Sequence, residues 1–102
     1  MKEILYLEVP TPDTKTVCQW LQHKFQPGFG DKILTSDGFV MKFSQDPTQE
    51  LSVFTWSLQR TTYLKVFAQG NVSSIEKQFT ASLTTNLRKE FPFNYPEPPI
   101  ID

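Results

Sequence analysis

The sequence predicts an α+β two-layer sandwich. A mainly antiparallel sheet of about five strands, in the order β-α-β-β-β-β-α, carries two helices on one face and a Pro-rich C-terminal tail. Three observations support this. From Glu50 to Ala68, apolar and polar residues alternate with the two-residue period of strands. Ahead of that run, Ser36-Asp37-Gly38 separates two further apolar segments, and Asp-Gly is a strong hairpin signal. Two segments with helical spacing of apolar residues, one before the strand-rich middle and one after it, supply the second layer.

Each element has its own signal. Lys2 to Val9 reads as a strand, with Leu5, Leu7 and Val9 on one side, Ile4, Tyr6 and Glu8 on the other, and Pro10 as its end. Thr11-Pro12-Asp13 predicts a helix start, with Thr11 as N-cap, proline at the first helical position and an acid in the first turn. Val17, Trp20, Leu21 and Phe25 form its apolar stripe. His23 and Lys24 fall in its last turn, where positive charge suits the helix dipole, and Pro27-Gly28-Phe29-Gly30 breaks it. Lys32 to Thr35 and Phe39 to Phe43 flank the Asp-Gly turn, and Gln45-Asp46-Pro47-Thr48 reads as another turn.

The two alternating strands follow, joined near Gln59-Arg60-Thr61, a joint without glycine that leaves its turn type open. Ser73-Ser74-Ile75-Glu76 has the spacing of a capping box. Ile75, Phe79, Leu83 and Leu87 then mark a helix to about Lys89, which Pro92 stops. Residues 1–91 are thus expected to form one domain and residues 92–102 a Pro-rich tail.

The alternation from Glu50 to Ala68 leaves both sheet faces apolar. Ser52, Phe54, Trp56 and Leu58, with Leu64, Val66 and Ala68, are expected to meet the helices opposite Trp20 and Phe79. The other face then holds Ile4, Tyr6, Val40, Leu51, Val53, Tyr63 and Phe67. A large apolar patch on a soluble protein usually marks a contact surface. The candidate partner-binding residues are therefore Tyr6, Val40, Leu51, Val53, Tyr63 and Phe67, with Phe93 and Tyr95 of the tail. The expected role is a small non-catalytic accessory or interaction module that binds a protein partner or forms a homodimer. An alternative is a small-ligand cavity lined by the aromatics Trp20, Phe54 and Trp56. For the tail, one reading folds Phe93, Tyr95 and Ile100 back over the domain's own sheet, and the other makes it a docking peptide.

Composition narrows the classes. With 102 residues, 38% of them hydrophobic and 14% aromatic, the chain is long enough for one modest core. Ten basic residues against eleven acidic ones give a net charge of −1 and no basic stripe, so nucleic acid is an unlikely partner. Leu5-Tyr6-Leu7 and Gly38 to Phe43 echo the paired sheet motifs of RNA-recognition domains. The second lacks an opening Lys or Arg, its aromatic spacing is off by one, and a strand follows where a helix belongs, so no family resemblance is drawn and single-stranded nucleic-acid binding through the sheet aromatics stands only as a further alternative. Cys18 alone cannot form an intramolecular disulfide, and His23 alone rules out a metal site built on two histidines. No phosphate-binding, dinucleotide or nucleophile-elbow motif occurs, so neither catalysis nor a cofactor is expected. The first residues lack a signal-like apolar region and no 18-residue apolar stretch exists, so a cytoplasmic location without membrane contact is expected.

Overall fold

A computed structural model describes residues 1–43 and 49–96. It contains an antiparallel five-stranded sheet with two helices, as the sequence predicts. The strands are β1 (Lys2–Val9), β2 (Asp31–Leu34), β3 (Gly38–Lys42), β4 (Glu50–Leu58) and β5 (Thr61–Gln69), in the spatial order β1-β5-β4-β3-β2. Strands β2 to β5 form a meander, and β1 pairs antiparallel with β5 at the sheet's edge, which fixes a placement the sequence leaves open.

The first helix, α1 (Thr14–Gln19), begins later than its sequence signal implies. Asp13, not Thr11, is the N-cap, and its side chain accepts from Thr16 N at 3.1 Å. Thr11 Oγ1 instead accepts from Asp13 N at 3.2 Å, so the hydroxyl orders the cap rather than forming it. Hydrogen bonds from Thr16 hold the Asp13 carboxyl below its ordinary pKa. A π-helical segment, Trp20–Lys24, continues the helix, and Phe25 N donates to Trp20 O at 2.9 Å. The second helix, α2 (Ser73–Glu90), has fully buried Val72 as its N-cap and no side-chain cap. The Ser73–Glu76 capping box therefore does not form; Ser73 Oγ donates to Asn71 Oδ1. Phe91 leaves the helix in extended geometry, as the following proline requires.

Both helices lie on one face. Their buried residues Val17, Trp20, Leu21, Phe79, Leu83 and Leu87 join Leu7, Val9, Phe39, Met41, Leu51, Val53, Leu64 and Val66 in one core. Phe79 is its aromatic hub, with ring centroids 5.9 Å from Phe25, 6.3 Å from Phe29 and 6.4 Å from Phe39. Gly38 is required by close approach, since a Cβ there would lie 1.8 Å from Val53 O. The polar residues turned inward are satisfied. Thr55 Oγ1 donates to Asp37 O at 2.8 Å and Thr62 Oγ1 to Thr11 O at 2.8 Å. Lys32 reaches under the helix and donates to the carbonyls of Leu21 and Phe25, and burial holds its ammonium below the ordinary lysine pKa.

The tail packs onto the domain. Glu8 and Asn94 exchange two backbone hydrogen bonds of 2.8 Å, which extend the sheet past β1 by one bridge. Phe93 is buried in the core beneath the Arg88 guanidinium, 4.2 Å from its ring centroid. The expected turn at Gln45–Thr48 and the expected contact of Ile100 lie outside the described residues.

Candidate interaction face

The face of the sheet opposite the helices is set by pairing parity. Strands β4 and β5 are joined by the two-residue turn Gln59-Arg60, both with left-handed φ (50° and 66°). This is the primed-turn geometry that matches strand twist, achieved here without glycine. A two-residue turn pairs odd positions of β4 with even positions of β5: Leu51 with Ala68, Val53 with Val66, Thr55 with Leu64. Directly opposed residues share a face, so Leu51 and Val53 join Leu64 and Val66 under the helices.

This corrects the face of β4. Leu51 and Val53, expected on the open face, are fully buried core residues. Ser52, Phe54, Trp56 and Leu58, expected against the helices, point away from them. A shift of one residue in register exchanges the two sets, and the glycine-free joint hides which register applies. Ile4 is also displaced from the open face. A bulge between Glu3 and Leu5 turns it toward the core, where it packs beside Leu5.

The remaining expectations converge. Tyr6, Val40, Tyr63 and Phe67 share the open face with Phe54 and Trp56. Two aromatic groups result. Trp56 and Tyr63 stack at 5.5 Å with Tyr6 6.0 Å from each, and Phe54 meets Phe67 edge-on at 5.8 Å. Lys65 lies among them, 4.5 Å over the Tyr6 ring and 2.8 Å from the Glu3 carboxylate. The hydrogen bond from Lys65 to Glu3 raises the lysine's pKa. Trp56 is 36% exposed, Leu58 59% and Ile33 of β2 49%. Among the described residues no helix or loop lies over this face; the tail residues Phe93 and Tyr95 are on the other side of the molecule's β1 edge, and Tyr95 borders a groove with Ile4, Leu5 and α2. Phe93 is thus a core side chain rather than a docking one, while Tyr95 is 60% exposed.

The charges on this face are the carboxylates of Glu3, Glu8, Asp31 and Glu50 and the ammonium groups of Lys42 and Lys65. Lys42 lies directly across from both Asp31 and Glu50, and Lys65 is bonded to Glu3. Among the described residues no free cation remains at its centre to attract phosphate. Trp56 and Tyr63 also give one ring face to each other, which removes π surface that a base would stack on.

The three aromatics expected to line one cavity do not meet. Trp20 is buried on the helix side, with Phe54 and Trp56 across the sheet from it. Trp20 instead floors a shallow groove of about 290 Å³ lined by Gln19, His23, Lys24, Glu90 and Phe91. Cys18 is a buried free thiol. Among the described residues no group of three His, Cys, Asp or Glu side chains could hold a metal ion, and no helix is long and apolar enough to cross a membrane. No protein-family model, curated protein or solved structure matches the chain.

Proposed function

We propose that this chain is a small non-catalytic interaction module that docks onto a protein surface through the helix-free face of its sheet. The observation that carries this reading is the set of aromatic side chains, Tyr6, Phe54, Trp56, Tyr63 and Phe67, on a face that no described residue covers. Aromatic residues concentrate in the energetic centres of protein interfaces. An aromatic centre in which Lys65 is bonded to Glu3, with further acids at Glu8, Asp31 and Glu50, supports a protein contact over a polyanion. The buried free thiol of Cys18 suits the cytoplasmic setting proposed with it.

The test asks whether these rings serve the fold. The double variant Tyr63→Lys/Phe67→Glu removes two of them at positions that point away from the core. It is expected to keep the wild-type circular dichroism and a cooperative thermal transition, lowered by a few degrees because cross-strand aromatic pairs are lost. Global unfolding of the variant would make the face part of the protein's own core and end this reading.

A further inference from the structure

We propose a second docking surface, the outer edge of β2, which accepts an extended segment of a partner protein as an added antiparallel strand. Hydrogen-bond parity defines what this edge presents. Thr35 N donates to Gly38 O at 3.0 Å, so Thr35, Ile33 and Asp31 turn their backbone groups toward β3. Lys32 and Leu34 alternate with them, so each turns its N–H and its carbonyl outward. Another strand satisfies these groups together, as in strand addition to an exposed sheet edge. Among the described residues none does so: the sheet ends at β2, and the isolated bridge outside the named strands is at β1. The two edges differ sharply in protection. At the β1 edge Asn94 takes both outward groups of Glu8, Pro92 and Pro96 flank that bridge, and a bulge between Glu3 and Leu5 breaks the ladder. The β2 edge has none of these devices. Its register is regular, it holds no proline, and its one lysine reaches inward to the carbonyls of Leu21 and Phe25. Ile33 and Leu34, 49% and 48% exposed, stand on opposite faces of this strand.

The cross-strand rows that end at β2 specify the occupant's side chains, because directly opposed residues share a face and interact. On the helix side the row Val66, Val53, Phe39, Leu34 is apolar throughout. On the open side the row through Val40 ends at Ile33, and the neighbouring row Glu50, Lys42, Asp31 alternates in sign. Antiparallel addition continues the sheet's own ladder and is the more stable pairing per residue. Read in its own direction, the added strand therefore carries an apolar residue opposite Leu34 and a second opposite Ile33. Any residue follows opposite Lys32, and a Lys or Arg stands opposite Asp31, where it extends the alternation of charge.

The probe is the blocked peptide acetyl-Thr-Leu-Val-Thr-Lys-Thr-amide, titrated into the isotope-labelled full chain and followed by amide NMR. Its expected dissociation constant is about 0.1–1 mM, the yield of about four backbone hydrogen bonds. The Lys32 and Leu34 amides are expected to exchange quickly in the free chain and to slow on saturation. N-methylation of the probe's Leu and second Thr, whose N–H groups face β2, is expected to weaken binding about tenfold. The same change at its Val and Lys, whose N–H groups face away, is expected to leave binding intact. Exchanging the probe's Lys for Glu is expected to weaken binding about threefold. Leu34→Pro deletes one outward donor at a place where an edge strand tolerates proline, and is expected to fold and to lose the probe. Silence of the Lys32 and Leu34 amides at about 5 mM probe overturns the proposal. So does equal binding of the two N-methylated pairs, of the Lys and Glu probes, or of folded Leu34→Pro and wild type. Amides of Lys32 and Leu34 already slow in the free chain also overturn it, because a second copy or another part of this chain then holds the edge. None of these readouts involves Tyr63 or Phe67, so this claim and the open-face reading fail separately.

Discussion

The two faces of this sheet are built from the same strands and both hold large apolar side chains, yet they do different work. The covered face is aliphatic where strands meet helices: Leu7, Val9, Leu51, Val53, Leu64 and Val66 lie under Phe25 and Phe79, and its few polar side chains are individually bonded. The open face is aromatic and carries charge, with Lys65 and Glu3 among the rings. Apolar content alone therefore does not identify a core. What separates the faces is whether another element closes over them and whether their polar groups are tied to backbone or left to water.

The largest expected effect on this comparison comes from truncating one ring on each side. Phe79→Ala removes the hub of the core and is expected to cost about 3–5 kcal/mol, as buried aromatic truncations do. Phe54→Ala on the open face loses mainly its edge-on contact with Phe67, about 0.5–1.5 kcal/mol. Urea unfolding would measure both. Comparable costs would break the distinction between the faces.

The turn that sets the faces can be sharpened in the opposite direction. Gln59 and Arg60 occupy left-handed backbone that side chains disfavour. The double variant Gln59→Asn/Arg60→Gly installs the Asn-Gly pair that primed turns prefer. It is expected to stabilise the fold by about 1 kcal/mol in urea unfolding without moving the register. A changed pattern of amide exchange across β4 and β5 would show that parity is set elsewhere.

The smallest effects distinguish the two lysines that bracket the sheet. Lys65 on the open face has a raised pKa from its hydrogen bond to Glu3, so its contribution is fully present below the ordinary lysine value of 10.5 and is lost as pH rises through the folded value. Lys32 under the helix has a lowered pKa from burial. Its folded form releases the proton first, so this shift raises stability with pH in the window just below the ordinary value of 10.5. Side-chain carbon NMR should show Lys32 titrating before Lys65; the reverse order would place Lys32 in solvent.

Much of the fold is legible in the sequence. The strand that Lys2–Val9 forms, the meander, the Asp-Gly hairpin and both helical stripes follow from local periodicity and turn chemistry, which a single segment carries within itself. The faces do not. Whether Phe54 or Val53 points at a helix depends on the length of the turn that follows β4, and a glycine-free pair in left-handed geometry gives no sign of that length. The inward Thr55 and Thr62 make the true core series look half polar, because the carbonyls that satisfy them come from Asp37 and Thr11, far along the chain. The Ile4 bulge is similarly silent, since it reflects how β1 docks on β5. Tyr6, Val40, Tyr63 and Phe67 can be placed on the open face from their own alternation. Phe54 and Trp56 cannot, because their strand has to be matched to a neighbour before its faces are defined.

Circular dichroism and thermal unfolding of the Tyr63→Lys/Phe67→Glu variant test the central claim most directly, that the open aromatic face lies outside the protein's own core. The account expects the wild-type spectrum and a cooperative transition lowered by only a few degrees. Global unfolding of the variant would contradict it.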